Sequence, residues 1–125
     1  MVTDVFTDGA CLGNPGPGGW AFVVDQGTWL SGFEPHTTNQ RMELTAASAA
    51  VQTLEGPLRV HSDSTYVVNC FVQEWWKGWH RRDWKNSKKE PVANRDLWEP
   101  FIELVNARAD VEFVWVKGHS GHRLN

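Results

Sequence analysis

Three acidic residues could together perform a reaction that none of them could perform alone. Asp8 stands in the run TDG, Glu43 in RMEL and Asp63 in HSDS. Taken singly, each has an ordinary structural explanation: a turn for Asp-Gly, a helix N-cap for Asp63, and a solvated helix shoulder for the glutamate. Brought together, three carboxylates repel one another and need a cation, and hard oxygen ligands favour Mg²⁺ or Mn²⁺.

The strands and helices expected from the sequence can bring these carboxylates together. Asp8 and Asp63 each follow a short apolar, β-branched stretch. If those two strands are neighbours, both side chains emerge at one edge of the sheet, where open α/β sheets collect their ligand groups. A helix carrying Glu43 close to its sheet-facing side can complete the cluster. Two ions about 3.5–4 Å apart in such a cluster are the usual device for phosphodiester cleavage.

The whole chain is predicted to be one α/β domain over residues 1–125, built on a mixed five-stranded sheet whose first three strands are antiparallel. The Gly- and Pro-rich run 9–19 predicts a turn, and residues 25–27 predict a hairpin turn. The expected strands are 2–7, 20–24, 28–33, 58–61 and 110–116. The expected helices are 40–54 with a cap among Thr37, Thr38 and Asn39, a second from Ser62 or Asp63 toward Trp75, and a third from 94 or 95 to 108.

Charge is distributed very unevenly along the chain. The net charge is −3, but residues 77–89 alone carry +5, so the other 112 residues carry −8. Four of the eight tryptophans, Trp75, Trp76, Trp79 and Trp84, lie in or beside this basic segment. Basic and aromatic residues interleaved in this way indicate a polyanionic partner with stackable faces. The alternative is a solvated charged face with tryptophans buried for packing, which we favour for Trp75 and Trp98.

Composition also limits the setting. Two cysteines, Cys11 and Cys70, are too few for a disulfide framework and favour a reducing, cytoplasmic location. Neither a signal peptide nor a membrane-spanning apolar run is evident. We therefore expect a monomer that does not engage a membrane.

Four motifs resemble the sequence signature of type 1 ribonuclease H, the enzyme that cuts the RNA strand of RNA/DNA hybrids. They are FTDGACLGNPGPGGW, TTNQRMELTAA, HSDSTYV and WVKGHSGH, in the same order and spread over all 125 residues. The resemblance implies the ribonuclease H-like three-layer fold, with helices on both faces of the sheet. It also implies two-metal catalysis with Mg²⁺, or possible use of Mn²⁺, leaving 3′-OH and 5′-phosphate ends.

The resemblance assigns roles to individual residues. Asp8 would bridge both metal ions, Glu43 and Asp63 would complete a metal site, and His119 would assist catalysis or product departure from its loop. Thr38 and Asn94 match a pocket for a DNA phosphate, with His36 where some members have arginine. Minor-groove contacts fall on Cys11, Asn14, Asn39 and Gln40, and Thr65 replaces a frequent glutamine. The basic segment matches a DNA-binding protrusion through Trp79, Trp84, Lys77, Arg81, Arg82, Lys85 and Lys88.

Members of this family continue past the histidine loop into a C-terminal helix that carries a fourth carboxylate, whereas this sequence ends at Asn125. Three explanations remain open: a partial sequence, a deliberately shortened chain, or a protein that works with three carboxylates. The main alternative to an active nuclease is therefore a weakly active or inactive hybrid-binding module. A third hypothesis is a nucleotidyl-transferring relative, such as an integrase or transposase core, against which the GNPGPGG and KGHSGH runs argue.

Overall fold

The computed structural model describes residues 1–24 and 27–117. The strands in this part of the chain are β1 (Thr3–Cys11), β2 (Gly16–Val24), β3 (Thr28–Thr37), β4 (Leu58–Ser62) and β5 (Val111–Trp115). The helices are α1 (Asn39–Thr53), α2 (Thr65–Val72), α3 (Trp75–Arg81) and α4 (Arg95–Arg108).

The five strands form one mixed sheet in the order β3-β2-β1-β4-β5. The first three strands are antiparallel, while β4 runs parallel to both β1 and β5. This arrangement confirms the predicted fold class. It also places the two strands that lead to Asp8 and Asp63 side by side, because Phe6 pairs with His61 at the end of the parallel β1–β4 ladder.

The hydrophobic core lies between the sheet and the helices. Alternate residues of β1 and β4, among them Val5, Leu58 and Val60, are fully buried, as expected for strands with one face against helices. The buried alanines of α1, Ala46, Ala47 and Ala50, allow that helix to approach the sheet closely. In α4, Trp98 and Phe101 are the largest buried side chains.

The predicted turn over residues 9–19 is wrong in extent. Strand β1 continues to Cys11 and β2 begins at Gly16, so only residues 12–15 connect them. Gly13, with φ of 80°, lies in this connection, but Gly18 serves close packing: a Cβ there would lie 2.6 Å from the Thr37 side chain and 2.9 Å from the carbonyl oxygen of Ala10. Glycine-rich sequence therefore marks a crowded sheet here. The predicted hairpin turn at 25–27 falls partly outside the described residues.

The second helix also differs from its prediction. Its N-cap is Ser64, whose hydroxyl accepts a hydrogen bond from the Val67 N–H at 3.2 Å, and not Ser62 or Asp63. The helix ends at Val72, and a left-handed Glu74 with φ of 58° separates it from α3. The first helix is capped by Thr38, as predicted, and the last begins after Asn94 despite Pro100 in its interior.

Within residues 1–24 and 27–117, no helix has the length and apolar character needed to cross a membrane.

Candidate active site

The three acidic residues singled out in the sequence meet at one edge of the sheet. Asp8 lies on β1 just beyond its parallel pairing with β4, Asp63 follows the last residue of β4, and Glu43 lies in the first turns of α1. One carboxylate oxygen from each lies within 4.8 Å of the other two, and all three residues are half-buried. The structure thus brings together the predicted metal ligands from three separate elements.

Helix α1 reaches this position because Gly9 has no side chain. A Cβ on Gly9 would lie 2.3 Å from the Met42 carbonyl carbon and 2.6 Å from the Glu43 backbone nitrogen, both main-chain atoms of α1. The Gly9 N–H in turn donates a 2.7 Å hydrogen bond to Glu43 Oε1. The glycine after Asp8 therefore sets both the distance of the helix and the direction of its carboxylate.

The environment strongly favours the protonated form of Glu43. Burial of the carboxyl, followed by the negative charge of Asp63 and a hydrogen bond with it, and then the charge of Asp8, raises the pKa of Glu43 to about 9. The hydrogen bond from Gly9 acts in the opposite direction. At neutral pH the cluster therefore holds a proton in the place where a cation would otherwise balance its charge.

The main chain at Asp63 is held from two sides. The indole N–H of Trp115, on β5, donates to the Asp63 carbonyl oxygen at 3.1 Å. The hydroxyl of Ser62 accepts from the Ser64 N–H at 3.0 Å. Because Ser64 caps α2, the Asp63 carboxylate is not used as the helix cap and is available to the cluster.

This donor set suits a hard divalent cation. Three carboxylates with oxygens within 4.8 Å of one another form a compact oxygen site, and Mg²⁺ and Mn²⁺ prefer such ligands. The raised pKa of Glu43 also fits a metal site, because a bound cation would replace the proton on this carboxyl group. The residues present therefore fit a metal site.

Next to the cluster, three predicted groove-contacting residues form a hydrogen-bonded unit. The Cys11 N–H donates to Asn39 Oδ1 at 2.8 Å, and the Asn39 N–H donates to Asn14 Oδ1 at 2.9 Å. The Cys11 thiol lies 3.6 Å from the same Asn14 oxygen. The β1–β2 connection is thus joined to the N-terminus of α1 at the surface. Gln40, the next residue of α1, is exposed.

The two residues predicted to hold a phosphate are linked through Arg41. Its backbone N–H donates to Thr38 Oγ1 at 3.2 Å, and its guanidinium donates to Asn94 Oδ1 at 3.2 Å. The same guanidinium forms a bidentate ion pair with Asp96, at 2.8 and 3.0 Å. The N-termini of α1 and α4 therefore meet at one place. His36 and Thr65 are both exposed, on β3 and at the start of α2.

The basic segment is α3 together with the loop that follows it. All five basic residues predicted to contact substrate are exposed, namely Lys77, Arg81, Arg82, Lys85 and Lys88. Two of them also support the segment itself: Lys77 pairs with Glu74 at 2.7 Å, and Arg82 donates to the Lys85 carbonyl at 3.1 Å.

The tryptophans of this segment differ in accessibility. Trp84 is only 7% exposed, and its main chain is fixed by hydrogen bonds with Trp79 and Val92. Trp79 is half-buried and packs edge-on against Trp98, which is fully buried as expected. Trp84 is thus placed to support the basic loop, while the accessible part of Trp79 lies at the surface.

His119, the remaining predicted catalytic residue, lies outside the described residues. Sequence reasoning missed two residues that are hydrogen-bonded to Asn94, namely Arg41 and Tyr66. The Tyr66 hydroxyl accepts hydrogen bonds from Asn94 Nδ2 and Trp98 Nε1 at 3.1 and 2.8 Å. Arg41 could have been found from its place between Gln40 and Glu43, but the sequence holds no signal linking Tyr66 to Asn94, 28 residues away.

Comparisons with known proteins show the family of the chain. The sequence model of the RNase H family matches residues 2–125. Ribonuclease H of Moorella thermoacetica is 53% identical over 126 residues, covering 97% of this chain and 82% of that protein. Ribonuclease HI of Caulobacter vibrioides is 49% identical over 126 residues, covering 97% and 83%.

Two solved structures share the fold. LC9-RNase H1, described as a type 1 RNase H with the type 2 active-site motif, superposes with a TM-score of 0.77 at 31% identity, covering 97% of this chain and 65% of that one. The foamy viral protease-reverse transcriptase in complex with dsDNA has a TM-score of 0.80 at 22% identity, covering 93% and 81%.

The sheet order and the family match together place the protein in the RNase H-like class of nucleases. The chain belongs to the RNase H family and is a ribonuclease H of type 1.

Proposed function

We propose that the protein hydrolyses the RNA strand of RNA/DNA hybrids by two-metal-ion catalysis, leaving 3′-OH and 5′-phosphate ends. The observation that carries this function is the convergence of Asp8, Glu43 and Asp63 within 4.8 Å at one sheet edge. Divalent ions held there, with Mg²⁺ the expected metal, would supply an activated water and stabilise the leaving 3′-oxygen.

The rest of the protein would position the three half-buried carboxylates for this chemistry. Gly9 directs the Glu43 carboxylate, and Trp115 with Ser62 fixes the main chain on either side of Asp63. These groups belong to β1, α1 and the ends of β4 and β5, and such elements give a site the rigid support that preorganised catalysis needs. Glu43 gives up its proton when a cation is bound.

Hybrid selection is assigned to the surface around this frame. The unit of Cys11, Asn14 and Asn39, with Gln40 beside it, presents polar groups suited to a minor groove, where the 2′-OH distinguishes RNA from DNA. Thr38 and Asn94 are placed for a phosphate of the DNA strand. The exposed lysines and arginines of the basic segment would bind further phosphates. The accessible part of Trp79 lies on the same segment and would also contact the DNA strand. His119 is proposed to assist catalysis or product release.

A cleavage assay with a matched pair of variants tests this function. The substrate is a labelled RNA/DNA hybrid in Mg²⁺ or Mn²⁺, with duplex RNA and duplex DNA as controls. Asp8→Asn removes a cluster carboxylate, whereas Asp4→Asn makes the same substitution on the same strand at a carboxylate that pairs with Arg59 and His61 instead.

We expect cleavage of the hybrid alone. Asp8→Asn should lower the rate by more than about 100-fold, beyond the loss typical of residues that only support metal ligands. Asp4→Asn should retain the wild-type rate. Hybrid binding without cleavage in either metal would instead show a binding module, and equal losses in the two variants would remove the carboxylate cluster from the mechanism.

A further inference from the structure

Asn94 is an N-cap residue whose side chain does not cap its helix. Its amide is instead held from both sides: Oδ1 accepts from the Arg41 guanidinium at 3.2 Å, and Nδ2 donates to the Tyr66 hydroxyl at 3.1 Å. Arginine has donors only, so the oxygen of the amide must face Arg41. The two bonds together define which way the amide points.

Tyr66 is itself anchored in the core. Its hydroxyl oxygen also accepts a 2.8 Å hydrogen bond from the indole N–H of Trp98, and its ring packs edge-on against that of Trp98 at 5.3 Å between centroids. Trp98 is 0% exposed. Tyr66 therefore joins the Asn94 side chain to the buried Trp98 through its hydroxyl group.

The Asn94 amide lies in a setting that favours an anion. An amide nitrogen carries two hydrogens, and the bond to Tyr66 uses one of them. Thr38 Oγ1 accepts from the Arg41 N–H, so its hydroxyl hydrogen can be donated elsewhere. The N-termini of α1 and α4 add partial positive charge, while Asp96 neutralises much of the Arg41 charge. Directed donors rather than a free cation would therefore hold a phosphate here.

We propose that Tyr66 is a positioning residue, whose hydroxyl orients the Asn94 amide so that its second N–H donates to a phosphate of the bound DNA strand. Tyr66 has this role only if the chain binds hybrids as proposed above. Without the hydroxyl, the amide keeps its bond to Arg41 but loses the partner that fixes its nitrogen. The phosphate would then meet a less well directed donor.

The positioning can be measured first without any nucleic acid. In the NMR spectrum of the protein, Tyr66→Phe should shift the side-chain NH₂ resonances of Asn94 and speed their exchange with water. The side-chain amide of Gln52, which bonds Ser48 on α1, is an internal reference that should not move. Unchanged Asn94 resonances would overturn the positioning role, whatever the enzyme does with hybrids.

The consequence for substrate is measured by kinetics. Tyr66→Phe should raise KM for the hybrid about three- to tenfold, the effect of one hydrogen bond, with kcat little changed. The rise should vanish in an Asn94→Ala background. The same comparison can be made with a series of hybrids that each carry one neutral methylphosphonate linkage at a different position of the DNA strand. One of these hybrids should bind more weakly to the wild-type protein, because its neutral linkage replaces the contacted phosphate. On that hybrid, Tyr66→Phe should no longer raise KM.

A matched variant separates positioning from simple loss of stability. Val105→Ala removes buried volume from the same helix as Asn94 without touching the amide, and should lower Tm but leave KM as in the wild type. A KM rise in Tyr66→Phe that persists with Asn94→Ala, or that is equal on every methylphosphonate hybrid, would refute the role. If the wild-type protein binds no hybrid, the proposed function fails, and with it the phosphate part of this role.

Discussion

Glu43 Oε1 accepts a 2.7 Å hydrogen bond from the N–H of Gly9, the residue that follows Asp8. One proposed metal ligand, Glu43, is thereby hydrogen-bonded to the main chain next to the other, Asp8. The contact exists because β1 and α1 touch backbone to backbone at this point. The spacing of the cluster consequently depends on a residue that carries no functional group.

Gly9→Ala should therefore damage the site without altering any carboxylate. The new methyl group would overlap the main chain of Met42 and Glu43, which cannot rotate away as a side chain could. We expect a stability loss of about 1–3 kcal/mol from overpacking and a fall in cleavage rate of at least about tenfold from the displaced Glu43. Urea unfolding and hybrid cleavage measure the two effects.

The control for this prediction is Gly19→Ala, on the neighbouring strand. A Cβ there would meet only the Gly32 carbonyl oxygen, at 3.4 Å, which is ordinary contact. This variant should keep both stability and rate. Equal behaviour of the two alanine variants would show that the close approach at Gly9 does not set the spacing of the cluster.

Glu43 predicts a specific pH dependence for the metal-free protein. Its pKa is raised from 4.5 in the unfolded chain to about 9 in the fold. Between these values the folded state binds more protons than the unfolded state, so the free energy of unfolding falls as pH rises. One proton contributes at most about 1.4 kcal/mol per pH unit. Urea unfolding in EDTA across pH 5–9 should show this decline.

Two changes should remove that decline. In Glu43→Gln the proton is no longer taken up on folding, so the variant should be flatter with pH than the wild type. Saturating Mg²⁺ should have the same effect, because the cation replaces the proton. Glu103→Gln, at an exposed position of α4, should keep the wild-type slope. A slope that is the same in all three proteins would contradict the raised pKa of Glu43.

Some of this structure could be predicted from the sequence, for identifiable physical reasons. The two strands, and the places of Asp8 near the end of one and Asp63 after the other, follow from patterns local to β1 and β4, and Thr38 caps α1 through a local hydrogen bond. That the two strands are neighbours was only a condition of the prediction, and the structure fulfils it. The extent of the turn over residues 9–19 was predicted wrongly because two of its glycines are required by contacts with residues far along the chain. Gly9 lies against α1, and Gly18 lies against Thr37.

Sequence patterns also could not predict the burial of Trp84 or the hydrogen bond between Tyr66 and Asn94. Trp84 lies in a segment rich in lysine and arginine, yet it is only 7% exposed, and its ring centroid lies 5.9 Å from that of Trp79. Tyr66 and Asn94 belong to separate helices that only the folded core brings together. Distant packing decides these cases, and no short segment encodes it.

The basic segment predicts a quantitative salt dependence. If Arg81 and Lys85 each contact a phosphate, Arg81→Gln and Lys85→Gln should each weaken hybrid binding and reduce the slope of log K against log salt by about 0.9. Arg59→Gln removes the same charge from a side chain engaged with Asp4 and Glu112, and should leave the slope unchanged. Binding measured from 50 to 200 mM salt checks all three. Equal slopes would show that the segment does not bind the polyanion.

Arg108 predicts where stability, rather than catalysis, is concentrated. Its guanidinium donates to the main-chain carbonyls of Val51, Leu54 and Gly56, at the junction that leads from α1 into β4. It also pairs with Asp110, and its side chain is 17% exposed. Arg108→Met would leave the three carbonyls, of which those of Val51 and Leu54 are partly buried, without a charged donor and should cost about 2–4 kcal/mol in unfolding free energy. Lys77→Met, which breaks an ion pair whose lysine is 48% exposed, should cost less than about 1 kcal/mol.

Cleavage should not depend on Arg108. Well below the melting temperature, Arg108→Met should still cleave hybrid at the wild-type rate, since the hydrogen bonds of Arg108 lie at the C-terminal end of α1 and Glu43 lies near its N-terminal end. Losses of similar size in the two variants would mean that the three carbonyl bonds contribute no more than a surface pair.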